Sequence, residues 1–142
     1  MRAFSLSDVS DLPPTLVLES LNGNFQTKKL ELFDKVKIGR QVSAKTCPEV
    51  NNGYFNSKVL SRTHAEVWLE NGQVYIKDLK SSNGTYLNNC RLSPEGVESQ
   101  PFQLKNEDLL DFGVDILETD NTGKADLKPV TIMVKLTMVC KH

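Results

Sequence analysis

The sequence predicts an all-β sandwich, and three observations carry the prediction. Apolar residues recur at every second position in several runs, which is the strand period. Asn71-Gly72 stands between two such runs, and a two-residue hairpin turn needs the positive φ that this pair tolerates at both positions. No stretch keeps a helical apolar stripe over ten or more residues. A chain of 142 residues suits one domain with a real core and leaves little room for a second.

In chain order, residues 1–14 end in Pro13-Pro14 and read as a flexible leader, followed by one domain over 15–140. Strands are expected at 16–20, 28–32 and 36–39. Residues 41–57 form a long loop with Pro48 and Asn51-Asn52-Gly53, expected to lack structure of its own and to serve the ligand or a partner, with Tyr54 and Phe55 as anchors. In 65–70, Ala65, Val67 and Leu69 share one face opposite Glu66, Trp68 and Glu70. Residues 73–77 alternate likewise around Val74 and Ile76. Further strands are expected at 85–87, 102–104, 109–112 and 114–117, separated by turn-rich segments. The last run places Ile132, Val134, Leu136 and Met138 on one face, and the chain stops just after it, as a fragment would.

Composition excludes several classes. Lys+Arg 17 against Asp+Glu 18 argues against a protein that coats nucleic acid and against an acidic disordered tail. Three separated cysteines, Cys47, Cys90 and Cys140, make no disulfide framework and point to a reducing compartment. Two histidines without a Cys-x-x-Cys pair give no metal site, and no cofactor motif is present. The N-terminal segment carries Asp8 and Asp11 and is no signal peptide. No run approaches the ~20 apolar residues of a membrane span.

Three polar motifs fall at strand ends: Gly39-Arg40, Ser61-Arg62-Thr63-His64 and Ser81-Ser82-Asn83-Gly84-Thr85. Each alone is an ordinary turn or a solvated charge. Together, Gly39-Arg40, Ser61-x-x-His64 and Asn83-Gly84 resemble the signature of forkhead-associated (FHA) domains, which are phosphothreonine-reading sandwiches. Residues 58–65, 80–85 and 111–115 are similar to the FHA group of sarcolemmal membrane-associated protein and its fungal pheromone-arrest relatives. The resemblance implies a two-sheet sandwich of about eleven strands with its ligand-binding loops at one end.

The residue types suit that ligand. A phosphothreonine carries a charge of about −1.5 to −2 and three strong acceptor oxygens. Arg40 offers a planar fork for two of them, Ser61 a short hydroxyl donor, and Arg62 a second cation or a backbone N–H. The resemblance makes Asn83 the residue that brackets the peptide backbone, a task for which an amide has donors and an acceptor. It places Ser82 at the phosphate, where many relatives carry Thr. Asn88 is a further candidate for the peptide, with a hairpin turn at Asn88-Asn89 as the competing role. Lys58 is a candidate for acidic neighbours of the phosphothreonine, or else a solvated surface lysine. Gly39, His64 and Gly84 are expected to be structural at the site, with His64 bonded so as to hold the Ser61 loop.

The resemblance further implies a non-catalytic module recruiting a threonine-phosphorylated protein segment, from a signalling kinase or its regulator, to a striatin-interacting phosphatase and kinase (STRIPAK)-like scaffold. Scaffold contacts would lie in parts absent from this chain. The family context gives cell-cycle arrest or membrane trafficking, in the cytoplasm. A C-terminal anchor outside this chain would tether the full protein to the cytosolic face of the endoplasmic reticulum or nuclear envelope. This domain itself would touch neither nucleic acid nor membrane. The alternatives are a phosphorylation-independent interaction sandwich and, remotely, a serine hydrolase built on Ser61 and His64. The latter lacks a Gly-x-Ser-x-Gly elbow and an obvious acid to orient the histidine. Residues 35–91 hold all three motifs and carry nine Lys/Arg against four Asp/Glu, so the net charge of −1 conceals a basic centre.

Overall fold

The computed structural model describes residues 15–21, 23, 25–113 and 130–137. The leader at 1–14, the strand expected at 114–117 and Met138 lie outside the described residues. Eleven strands form two sheets. They are β1 (Thr15–Ser20), β2 (Lys28–Glu31), β3 (Val36–Arg40), β4 (Tyr54–Phe55), β5 (Ala65–Glu70), β6 (Gln73–Asp78), β7 (Thr85–Leu87), β8 (Cys90–Arg91), β9 (Phe102–Leu104), β10 (Leu109–Phe112) and β11 (Val130–Thr137). One sheet runs β2-β1-β11-β10-β7-β8 and the other β4-β3-β5-β6-β9. Every pairing is antiparallel except β3 with β4.

The alternating pattern is what folds the chain this way. Leu16, Leu18, Ile132 and Leu110 face inward from the first sheet and Ile38, Val67 and Ile76 from the second, all with no more than traces of exposure. Each such side chain contributes about 1.5–3 kcal/mol by leaving water. Phe112, fully buried, lies between the sheets against Phe55 and His64. Asn71 and Gly72 have φ of 53° and 79°, as the hairpin joining β5 to β6 requires. Trp68, expected on the outward face, is nevertheless nearly covered, because Tyr75 stacks on it at 6.0 Å and the Lys35 ammonium sits over its ring.

Residues 41–57 depart from the expectation of a loop without structure. A 3-10 turn at Ala44–Thr46 is closed by a capping box between Ser43 and Thr46. Asn52 ties the following segment together: its Oδ1 accepts from the Glu49 and Tyr54 amides and its Nδ2 donates to the Cys47 carbonyl. Then β4 pairs with β3, with Gly39 opposite Tyr54 and Arg40 opposite Phe55. Two-residue strands such as β4 and β8 are too short to show a period, which is why the pattern missed them.

Strand register brings the three motifs to one end. Ile38 pairs with Ala65 and Ala65 with Asp78, so β3 ends, β5 begins and β6 ends at the same level. Thr85 pairs with Phe112, which brings the start of β7 and the end of β10 there as well. The loops after Arg40, before Ala65 and between Asp78 and Thr85 therefore share that end.

Candidate functional site

Close backbone approach sets the site's frame. The Arg40 amide donates to the Ser61 carbonyl at 3.0 Å, and the His64 amide to Ile38 at 2.9 Å. A Cβ on Gly39 would lie 1.9 Å from the Arg62 carbonyl oxygen, so only glycine lets β3 pass this loop. The Arg40 side chain is half-buried, and Lys58 and Arg62 are exposed. None of the three pairs with a carboxylate among the described residues. Cations gathered at one end without acidic partners leave a local positive potential.

His64 is completely buried and joins two loops. Its Nδ1 accepts the Ser61 amide at 3.0 Å, and its Nε2 lies 2.8 Å from the Gly84 carbonyl. That pair of partners assigns the proton to Nε2. Burial lowers the imidazole pKa below its ordinary value; the Gly84 carbonyl and Asp78 oppose the shift, and Arg91 adds to it. Both nitrogens are thus engaged with backbone, and neither contacts Ser61 Oγ. Ser61 Oγ instead accepts the Ser82 amide at 3.1 Å. A hydrolase needs the serine hydroxyl bonded to the histidine, so this arrangement does not support that alternative.

The loop from 79 to 84 is built on a carboxylate that sequence reasoning missed. Asp78, 1% exposed, accepts the Ser81 amide at 2.8 Å, the Ser81 hydroxyl at 2.5 Å and the Thr85 hydroxyl at 2.8 Å. Ser81 Oγ in turn accepts the Gly84 amide at 3.0 Å. An Asp three residues before a Ser at a strand end was the available signal, since short polar side chains fold turns by bonding nearby amides. Gly84 has φ of 95°, and a Cβ there would meet Arg91 and Tyr86 at 2.9 Å. Arg91 was also missed and has no sequence signal of its own. It donates to the Ser82 carbonyl at 3.3 Å and to the Ser93 carbonyl at 2.7 Å.

Asn83 Nδ2 donates to the Val59 carbonyl at 3.0 Å, and no donor among the described residues reaches its Oδ1. Ser82 is exposed beside it. Gly113, with φ of 93°, lets β10 end against Val59, whose side chain would lie 2.9 Å from a Cβ there. The structure thus gathers Arg40, Ser61, Arg62, Ser82 and Asn83 on interlocked loops. Asn88 is different. It and Asn89 have φ of 50° and 72° in the turn joining β7 to β8, and its amide group bonds Asp108 and the Leu109 amide. Its side chain takes part in holding β10, which is the hairpin role.

Comparison with known proteins agrees with this architecture. The family model described as the FHA domain matches residues 36–113. An uncharacterized Schizosaccharomyces pombe protein is 51% identical over 109 residues, covering 74% of this chain and 36% of its own length. Human sarcolemmal membrane-associated protein is 40% identical over 130 residues, covering 88% of this chain but 15% of its own length. The chain therefore spans a minor part of both curated relatives. An N-terminal FHA domain from S. cerevisiae, solved in complex with a phosphothreonine peptide, superposes with a TM-score of 0.61 at 17% identity, covering 87% of this chain and 94% of that one. The sandwich, the three interlocked loops and the family match over 36–113 make this chain a member of the FHA family.

Proposed function

We propose that this domain binds threonine-phosphorylated protein segments without catalysing a reaction. The observation that carries the reading is Arg40: a guanidinium at the loop end of the sandwich, without a carboxylate partner among the described residues, beside Ser61 and Ser82. Arg40 grips two phosphate oxygens, Ser61 and Ser82 supply hydroxyls, and Arg62 adds positive charge. The Asn83 carbonyl receives a peptide N–H while its amide stays on Val59. Lys58 favours acidic residues of the ligand.

Similarity to sarcolemmal membrane-associated protein supports the finer reading. On it, the domain recruits a phosphorylated signalling kinase or regulator to a STRIPAK-like scaffold in the cytoplasm, with scaffold contacts and an anchor to the endoplasmic reticulum or nuclear envelope supplied by other regions of the full protein.

Fluorescence anisotropy with a phosphothreonine peptide, its unphosphorylated twin and a phosphoserine version tests the core of this reading. The first should bind, the second should not, and the third should bind more weakly. Loss of one methyl accounts for only about 0.8 kcal/mol unless packing around it is tight. Equal binding of all three would favour the phosphorylation-independent alternative.

A further inference from the structure

Lys28 is a buried cation for which the site described above has no use. It lies on β2, at the edge of the sheet that does not contain Arg40, and is 3% exposed. Burying a lysine is costly, and an apolar side chain would fill the same space without that cost. Its ammonium donates to the Glu49 carbonyl at 2.7 Å and lies 4.8 Å from the centre of the Phe55 ring. Next to it, the Lys29 amide donates to the Val50 carbonyl at 2.7 Å. The segment 47–55 is thereby fastened to β2 along one side.

Its other side is fastened to β3. The Gly39 amide donates to the Gly53 carbonyl at 3.1 Å and the Gln41 amide to the Phe55 carbonyl at 2.9 Å. These two bonds flank Arg40, which stands opposite Phe55 in the β3–β4 register. Phe55 itself is held edge-on by Phe25 at 5.0 Å and touches Phe112. A continuous chain of contacts runs from the Lys28 ammonium through Glu49 and Phe55 to the backbone on either side of Arg40. The segment is a strap across the open edge of the sandwich, and Lys28 is its clasp.

Resting on the phosphopeptide reading, we propose that Lys28 is a positioning residue for Arg40: its ammonium holds the 47–55 strap, and the strap fixes the end of β3 from which Arg40 reaches the phosphate. The clasp holds its charge against the preference of its surroundings. Burial pushes the Lys28 pKa down to about 8, and Glu49 opposes the shift. Glu49 is the charged group facing it from the strap; β1 presents Leu18 at the paired position, and the Phe55 ring lies under the ammonium. Burial that lowers the pKa favours the neutral amine in the closed strap, so the clasp holds as pH rises through 8.

The test uses the intact chain and Lys28→Met, which conserves length and removes charge and donor. Affinity for a fluorescein-labelled phosphothreonine peptide selected from a library is measured at pH 7.0. Amide hydrogen exchange at Gly39, Gln41 and Lys29 is measured at pH 7.0. The proposal expects Lys28→Met to bind roughly 5- to 30-fold more weakly than wild type at pH 7.0. Exchange at the three amides should accelerate in the variant while Val67 and Ile76 in the core stay protected, which marks a fold that is intact. Wild-type affinity in Lys28→Met at pH 7.0 overturns the proposal, even with faster exchange, because Lys28 would then be structural only. If the wild type binds no phosphothreonine peptide, the functional reading fails instead. The exchange arm then judges the clasp alone, and unchanged exchange would overturn that too.

Discussion

The His64 post and the Lys28 clasp bury a titratable side chain to opposite effect. His64 has 0% exposure and meets the cost by staying neutral, each ring nitrogen facing one backbone group. Lys28 has 3% exposure and keeps a full charge at neutral pH, supported by one carbonyl and the face of Phe55. The first arrangement joins two ligand loops through bonds that do not change over the physiological range. The second secures a strap through a charge that its buried surroundings disfavour. Satisfaction of every polar atom makes a rigid post, and partial satisfaction of a charge leaves a clasp that holds at a cost in stability.

The sharpest way to break this contrast is to empty the rigid region. Asp78→Ala should cost about 3–5 kcal/mol in urea denaturation, because the Ser81 amide and the Ser81 and Thr85 hydroxyls lose their acceptor in a buried place. A loss below about 1 kcal/mol would show that the loop is held by other means. Gly39→Ala should cost about 3 kcal/mol or more, since the Arg62 backbone must move.

The two buried bases also predict pH responses of the same sign in different intervals. Unfolded His64 takes up a proton near pH 6.5, while the native imidazole, its pKa lowered, does not. Its contribution is constant above that pH and is lost as pH falls through and below it. His64→Gln should flatten this acid limb in thermal melts. For Lys28 the native pKa of about 8 lies below the unfolded value of 10.5, so the unfolded state binds more protons between them. Stability should therefore rise over that interval, by about 3 kcal/mol from this residue. The rise should vanish in Lys28→Met, whose stability at pH 7 should lie within about 1 kcal/mol of wild type or above it. A wild-type melting curve parallel to the variant's from pH 8 to 10 would contradict this account of Lys28.

Much of this was legible in the sequence, for reasons that differ by region. Alternation in 65–70 and 73–77 and the Asn71-Gly72 turn follow from the strand period and the sign of φ, both local properties. The pattern Gly39-Arg40, Ser61-x-x-His64 and Asn83-Gly84 was legible because its spacing is fixed by the loops it builds. Arg91 and Lys28 were not, and Asp78 shows only in its three-residue spacing to Ser81. Each acts across the fold or across a turn, on carbonyls and amides whose positions no periodicity reports. The segment 41–57, which contains the strap, reads as an ordinary loop because its order comes from a capping box, Asn52 and a two-residue strand, none with an apolar repeat.

The central claim is that Arg40 is the phosphate-gripping residue, and substitution at that position tests it most directly. Titrating a phosphothreonine peptide into wild type, Arg40→Lys and Arg40→Ala separates fork from charge. The account predicts a loss of about 2–5 kcal/mol of binding free energy for Arg40→Ala, with Arg40→Lys in between. Unchanged affinity in Arg40→Ala, with the fold intact by melting temperature, would contradict it.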